Sequence, residues 1–168
     1  MDGKRVKGSI FITSIVTLPQ DANAMGNVHG GVIMKHIDNA AGVVAVRHGG
    51  RPAVTASIDR IDFHHPVYVG NLITLKACLH MAGTSSMEVG VRVEAEDILK
   101  CEVNHIASAY LTFVAMGDDG RPARVPPLIL ESDNEVRRQR EAAARKEMRL
   151  LLKQKEKTCQ NDFDRCEL

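Results

Sequence analysis

Hydrophobic and polar residues alternate with a period of two in three stretches in the middle of the chain. Apolar side chains occupy every second position from Ile73 to Met81, from Met87 to Ala95 and from Ala107 to Phe113. This alternation is typical of half-buried β-strands. Short turns at 83–84 and 97–100 separate the stretches, so we expect successive hairpins in an antiparallel sheet.

A second pattern, with a period near that of an α-helix, runs from about His29 to His48. Its apolar positions share one face, and most of the remaining surface is also apolar, which predicts one long buried helix that ends at Gly49-Gly50. Residues 9–18 and 53–62 predict two further strands. The order of elements indicates an α+β fold, an antiparallel β-sheet wrapped around one long central helix.

The composition changes after residue 128, where arginine, lysine and glutamate dominate residues 132–157. We expect one domain over residues 8–128 and a basic C-terminal helical tail over residues 129–168, with the last ten residues disordered. The charge pattern favours a solvated, solubilising tail. Contact with the phosphates of a ligand or with a neighbouring subunit is the alternative.

Bulk composition excludes several classes of function. The chain of 168 residues carries a formal net charge of +1 and six aromatic residues without tryptophan, which favours neither nucleic acid nor a membrane surface as partner. Its four cysteines form no CxxC pair, which indicates a reducing compartment and a cytoplasmic location. The N-terminal apolar run is interrupted by Thr13, Ser14 and Thr17, and this pattern favours a strand over a signal peptide.

Asp38 is the most conspicuous candidate for chemistry, because it interrupts the apolar helix pattern. It falls on a narrow polar stripe with Lys35 and Asn39. The stripe is compatible with an exposed Lys35–Asp38 ion pair, or with a carboxylate in a cleft or subunit interface that acts as general base or nucleophile. No GxSxG elbow suggests a serine esterase, and the seven histidines lack the spacing of a metal site.

Three glycines precede that stripe. Gly26, Gly30 and Gly31 fit neither a dinucleotide fingerprint nor a phosphate-binding loop. Two glycines at a helix start allow close approach to the backbone, and the free N–H groups there favour a negative oxygen. Tight packing of the helix against the sheet explains them equally well.

These residues together resemble the signature of the hotdog-fold acyl-coenzyme A thioesterases. The resemblance rests on the pattern Asn23-x2-Gly26-x2-His29-Gly30-Gly31-x6-Asp38-x-Ala40-Ala41. Segments 55–75, 83–97 and 119–128 also resemble the family, so the likeness covers about residues 10–128.

The resemblance implies an enzyme that hydrolyses fatty acyl-CoA to free acid and coenzyme A. Asp38 is then the general base or nucleophile, and Asn23 of the partner protomer positions water or substrate. The rise of about 14 Å along the helix from residue 29 to residue 38 also favours such a composite site. Backbone N–H groups of Gly30 and Gly31 would stabilise the oxyanion.

The resemblance also implies how the substrate is held. Coenzyme A would contact Thr84, Ser85 and Ser86, and the candidates for its phosphates are Arg60, Arg92 and the basic tail. No metal or cofactor is implied beyond coenzyme A as part of substrate and product. A homo-oligomer is also implied. It is at least a dimer, and the expected complete assembly is a hexamer built as a trimer of dimers. A non-catalytic acyl-CoA-binding regulator on the same fold is the alternative.

Overall fold

A five-stranded antiparallel sheet and one central helix form the body of the protein. The structure is a computed structural model and describes residues 1–160. The sheet contains β2 (Phe11–Val16), β3 (Ala53–Phe63), β4 (Leu72–Ala82), β5 (Ser86–Asp97) and β6 (Glu102–Ala115), in the order β2-β4-β5-β6-β3. Helix α1 (Gly30–Gly49) lies between β2 and β3 in the chain. This confirms the predicted α+β hotdog arrangement.

Short elements complete the fold at its two ends. Strand β1 (Lys4–Arg5) pairs in parallel with β7 (Leu128–Ile129), so the N-terminus lies beside the segment that leaves the sheet. The long helix α2 (Asp133–Gln160) follows. No helix within residues 1–160 is long and apolar enough to cross a bilayer.

The core lies between one face of α1 and the inner face of the sheet. Alternation along β4, β5 and β6 directs the apolar residues inward, where Leu75, Val89 and Leu111 are completely buried. Ile37 and Val44 of α1 are buried against them. The prediction that α1 is buried on every side is wrong for the single chain, because Met34 and Val46 remain 41% and 43% exposed. One sheet covers only one face of a helix.

Strand β3 forms an edge of the sheet and carries exposed apolar side chains. It has 11 residues and pairs only with β6 among the described strands. Val54, Ile58 and Phe63 on this strand are each more than 40% exposed. A long, apolar edge strand is a surface on which another chain can pair.

Helix α2 lies across the outer face of the sheet. Ala142 is fully buried, Arg145 forms an ion pair with Glu88 of β5, and Arg149 forms one with Asp59 of β3. The prediction of a helix is therefore right, whereas the prediction of a wholly solvated tail is wrong for this face. Residues 161–168, which include most of the segment expected to be disordered, lie outside the described residues. The domain boundary near residue 128 stays a prediction.

Candidate active site

Asn23 begins a tight turn that leads into α1. Its backbone N–H donates to the carbonyl oxygen of Asn27 at 2.7 Å, and Gly26 adopts a positive φ of 82° that favours glycine. The side-chain oxygen Oδ1 accepts hydrogen bonds from the backbone N–H groups of Met25 at 2.8 Å and Asn27 at 3.3 Å. Because the turn occupies Oδ1, the Nδ2 amide group is the part of Asn23 left to act as a donor.

A cleft of about 340 Å³ opens beside this turn. Its wall includes Asn23, Gly30, Phe63, His64 and His65. His64 and His65 lie in an exposed loop before Pro66 and also form part of the wall of the Asn23 cleft. Two adjacent histidines carry no spacing signal that would have predicted this position.

The start of α1 explains one glycine of the pair. His29 is the N-cap residue, and its Nδ1 accepts a hydrogen bond from the N–H of Gly31 at 2.9 Å. A Cβ on Gly31 would lie 3.0 Å from that nitrogen, so glycine gives the imidazole room. The N–H of Gly31 is therefore already engaged. Of the two predicted oxyanion donors, Gly30 is the one that lines the cleft.

Asp38 lies elsewhere, on the half-exposed stripe of α1. Its Oδ1 accepts a hydrogen bond of 2.6 Å from the Oγ1 hydroxyl of Thr55 on β3. No ion pair joins it to Lys35 among residues 1–160, so the exposed-pair interpretation of the sequence does not hold. Thr55 belongs to the segment that resembles the family, but no pattern along the chain indicates that it bonds to Asp38.

The single chain does not bring Asn23 and Asp38 into one pocket. Asp38 follows Gly30 by eight residues, which is about 12 Å along a helix, and it does not line the Asn23 cleft. Within residues 1–160, no group of three or more histidine, cysteine, aspartate or glutamate side chains is arranged to hold a metal ion.

The turn between β4 and β5 contains the three predicted coenzyme A contacts. The carbonyl oxygens of Thr84, Ser85 and Ser86 accept backbone hydrogen bonds of 2.7–3.0 Å, which fix the turn and leave its hydroxyls unengaged among the described residues. None of these residues lines the Asn23 cleft. Lys146 of α2 reaches this turn, since its Nζ lies 3.6 Å from the position of a Cβ on Gly83.

A five-stranded sheet around one helix, with an asparagine turn before the helix and an aspartate on it, defines a hotdog protein of the thioesterase class. The chain matches the thioesterase superfamily over residues 25–102. It is 36% identical over 130 residues to the uncharacterized acyl-CoA thioester hydrolase YkhA of Bacillus subtilis, covering 77% of this chain and 76% of that protein. It is 38% identical over 129 residues to the cytosolic acyl coenzyme A thioester hydrolase of Rattus norvegicus, covering 76% of this chain and 34% of that protein. The chain belongs to the acyl-CoA thioester hydrolases of the thioesterase superfamily.

Solved structures show the same likeness. An acyl-CoA hydrolase of Staphylococcus aureus in complex with butyryl coenzyme A, coenzyme A and coenzyme A disulfide is 34% identical, with a TM-score of 0.88 over 96% of this chain and 99% of that chain. Structures also exist of variants of that enzyme with alanine in place of an aspartate, an asparagine or a threonine. A hexameric acyl-CoA thioesterase is 35% identical, with a TM-score of 0.85 over 89% of this chain and 96% of that chain.

Proposed function

We propose that the protein hydrolyses fatty acyl-CoA to free acid and coenzyme A at composite sites between two copies of the chain. Asp38 of one copy is the general base or nucleophile, and Asn23 of the other positions water or substrate. The observation that carries the proposal is the Thr55–Asp38 hydrogen bond on a half-exposed stripe, apart from the cleft that holds Asn23.

The surface around Asp38 supports pairing of two copies. Met34 and Val46 on α1 and Val54 and Ile58 on the edge strand β3 are exposed apolar side chains on the elements that carry Asp38 and Thr55. A two-fold axis along this face would bury them and set the Asn23 turn of each copy against the other copy's helix. The hexameric relative supports a further assembly, a trimer of such dimers.

The hydrogen bonds suggest how the reaction proceeds. Thr55 holds Oδ1 of Asp38, which leaves Oδ2 to take a proton from water or to attack the thioester carbon. The Asn23 amide donates to the water or to the carbonyl oxygen, and the N–H of Gly30 stabilises the oxyanion. Coenzyme A leaves as a thiolate that takes up a proton. In the nucleophilic route, water then hydrolyses the mixed anhydride and frees Asp38.

The variants of the Staphylococcus aureus enzyme support this choice of residues. The asparagine and aspartate replaced there are 15 residues apart, and the threonine follows the aspartate by 17 residues. Asn23, Asp38 and Thr55 have the same separations in this chain.

We place coenzyme A against the turn at Thr84, Ser85 and Ser86. Arg60 and Arg92 are already paired with Asp62 and Glu94, whereas Lys146 reaches the turn from α2 and is the better candidate for a phosphate. The cytosolic name of the rat relative supports a cytoplasmic location for the reaction.

The test is release of free thiol from acetyl-, hexanoyl- and palmitoyl-CoA by the wild-type protein and by Asp38→Asn. We expect the wild type to hydrolyse at least one of them and the variant to lose about a hundredfold or more in kcat at unchanged oligomeric mass. Equal activity would show that another residue is catalytic. Binding of acyl-CoA by the wild type without thiol release would favour the non-catalytic regulator.

We assign Thr55 a positioning role, because its hydroxyl acts through Asp38. The same assay distinguishes this role from a purely structural one. Thr55→Val removes the donor at nearly constant volume, and we expect kcat to fall about tenfold with little change in KM. Thr55→Ser keeps the hydroxyl and should restore most of the rate. Equal losses in both variants would assign Thr55 to packing alone.

A further inference from the structure

A second cluster of reactive side chains lies on the outer face of the sheet, away from Asn23 and Asp38. Cys78 and His80 are two residues apart on β4 and therefore share this face. Glu88 of β5 lies 3.8 Å from Nδ1 of His80, and Arg138 of α2 places Nη1 3.6 Å from the sulfur of Cys78. The thiol, the imidazole and the carboxylate are thus neighbours in space, in the order found in sites that use a cysteine nucleophile. The proposed hydrolysis uses none of these three groups.

Gly90 makes the room that this arrangement needs. The sheet register places Gly90 between Cys78 and Tyr110, in a row across β4, β5 and β6. The His80 ring fills the space above Gly90, because a Cβ there would lie only 2.0 Å from its Cε1 and 2.4 Å from its Nε2. The absence of a side chain at Gly90 therefore leaves space for the imidazole beside Cys78.

The cluster is buried and its charges are coupled. His80 is 8% exposed and its Nδ1 has no hydrogen-bond partner among the described residues, while Glu88 is 1% exposed and accepts two hydrogen bonds from Arg145, at 2.6 and 3.1 Å. Burial of His80 opposes its protonation, but the neighbouring Cys78 and Glu88 side chains outweigh burial and raise its pKa.

The same partners favour ionisation of the thiol. Burial alone would raise the pKa of Cys78, and the nearby Glu135 acts in the same direction. The His80 imidazole and the positive charge of Arg138 outweigh both and hold the pKa of Cys78 below that of a free cysteine.

Cys78 is open to a small molecule. It lines a cavity of about 400 Å³ between the sheet and α2, a size common for small-molecule sites. Among residues 1–160, four cationic side chains line this cavity, Lys76, Arg92, Arg137 and Arg138, together with one carboxylate, Glu141. Glu94 forms ion pairs with Lys76 and Arg92, and Glu141 forms one with Arg137. Arg138 instead contacts the sulfur of Cys78. The positive charge favours an anionic ligand.

We infer that Cys78 is a thiolation site that forms a mixed disulfide with an anionic low-molecular-weight disulfide, of which glutathione disulfide and coenzyme A disulfide are the two sources to compare. The Cys78 sulfur attacks one sulfur of the disulfide, a new S–S bond forms and the old one breaks. The departing sulfur takes the electron pair of the broken S–S bond, and His80 passes to it the proton that it took from the Cys78 thiol. Cys78 is oxidised and the small disulfide is reduced.

The test follows adduct formation on the full-length protein by peptide mass spectrometry, with exposed Cys101 as internal reference. A free thiol is about 3% ionised at pH 7. A lower thiol pKa increases the thiolate fraction and so the rate, and it decreases the intrinsic nucleophilicity of the thiolate by a smaller factor. We therefore expect Cys78 to react with glutathione disulfide about tenfold faster than Cys101 at pH 7. Its rate should also fall at a lower pH than the rate of N-acetylcysteine with the same disulfide. Reaction no faster than that of Cys101, with the pH profile of N-acetylcysteine, would overturn the proposal.

Variants separate the roles of the cluster. Cys78→Ser should lose this adduct alone, and His80→Gln should slow Cys78 about tenfold and move its pH midpoint upward. Should His80→Gln fail to fold, Arg138→Gln on α2 takes its place, with a smaller loss in the same direction. An unchanged rate and midpoint in the folded variants would contradict the assigned roles. Asp38→Asn should be thiolated at the wild-type rate, so failure of the hydrolase proposal leaves this test unaffected.

Comparison of anionic and cationic disulfides tests whether the positive charge of the cavity favours an anionic ligand. Rates with glutathione disulfide, coenzyme A disulfide and cationic cystamine are each divided by the rate of the same disulfide with N-acetylcysteine. The two anionic disulfides should exceed cystamine, and the faster of them identifies the preferred source. Equal corrected rates for all three would overturn the anionic preference.

Discussion

At the scale of single residues, the orientation of Asn23 determines what it can do. Its Oδ1 holds the turn by accepting hydrogen bonds from Met25 and Asn27, so the Nδ2 amide is the group that the proposed substrate contact would use. One substitution can separate the structural role of Oδ1 from the proposed role of Nδ2.

Asn23→Asp should preserve the turn and lose the donor. The carboxylate still accepts the two backbone hydrogen bonds, but it offers no N–H and adds negative charge where an oxyanion develops. We expect kcat to fall about a hundredfold with the melting temperature nearly unchanged, measured by thiol release and thermal unfolding. Asn23→Ala should lose both rate and some stability. Full activity of Asn23→Asp would exclude a donor role.

At the scale of elements, a buried ion pair between Arg145 and Glu88 joins α2 to the sheet. The Glu88 side chain is completely buried and receives the Arg145 guanidinium, which also lies 3.8 Å from the centre of the Tyr110 ring. Burial would raise the pKa of Glu88, but the nearby His80 imidazole and the hydrogen-bonded Arg145 guanidinium outweigh burial and lower it.

Arg145→Gln should destabilise the protein by roughly 3 kcal/mol at pH 7, because it leaves a buried carboxylate without its main partner. The lowered pKa of Glu88 contributes stability that is present above about pH 4.5 and is lost as the pH falls through the folded-state pKa. The difference in the free energy of unfolding between Arg145→Gln and the wild type should therefore become smaller in acid. Urea unfolding at fixed protein concentration, at pH 7 and at pH 4, measures this difference.

Arg137→Gln is the matched control on the same helix. Arg137 pairs with Glu141 at the surface, where both side chains are more than 40% exposed. Its loss should cost less than about 0.5 kcal/mol at either pH. Equal effects of the two substitutions would show that the Glu88 pair does not hold α2 in place.

At the scale of the whole molecule, the proposed composite site would make activity a property of the assembly. One chain offers Asn23 in one cleft and Asp38 on another surface, with apolar groups exposed around the second. In the proposed dimer, the second copy supplies the residue that each half-site lacks.

Complementation between two inactive variants tests this directly. Asn23→Ala and Asp38→Ala should each be nearly inactive, but co-expression in equal amounts should restore about a quarter of wild-type activity. Each site draws Asn23 from one copy and Asp38 from another, so random assembly makes one site in four intact. Activity no higher than that of the parent variants would place both residues in sites within one chain.

Most of the architecture could be predicted from the sequence, because periodicity is a local property of the chain. Period two along β4 to β6 and the helical period of α1 predicted the elements, their order and one face of the core. The polar stripe on the apolar helix marked Asp38 as a candidate, and resemblance to a family added Asn23. The sequence could not show which face of α1 stays uncovered by its own sheet.

Contacts between distant residues were decided by the tertiary structure alone. Thr55 reaches Asp38 across 17 positions, and Arg145 reaches Glu88 across 57. Gly90 admits the His80 ring only because the register of β4 and β5 sets them side by side. A pattern along one strand fixes which face a side chain occupies, whereas register and helix docking decide which side chain it meets.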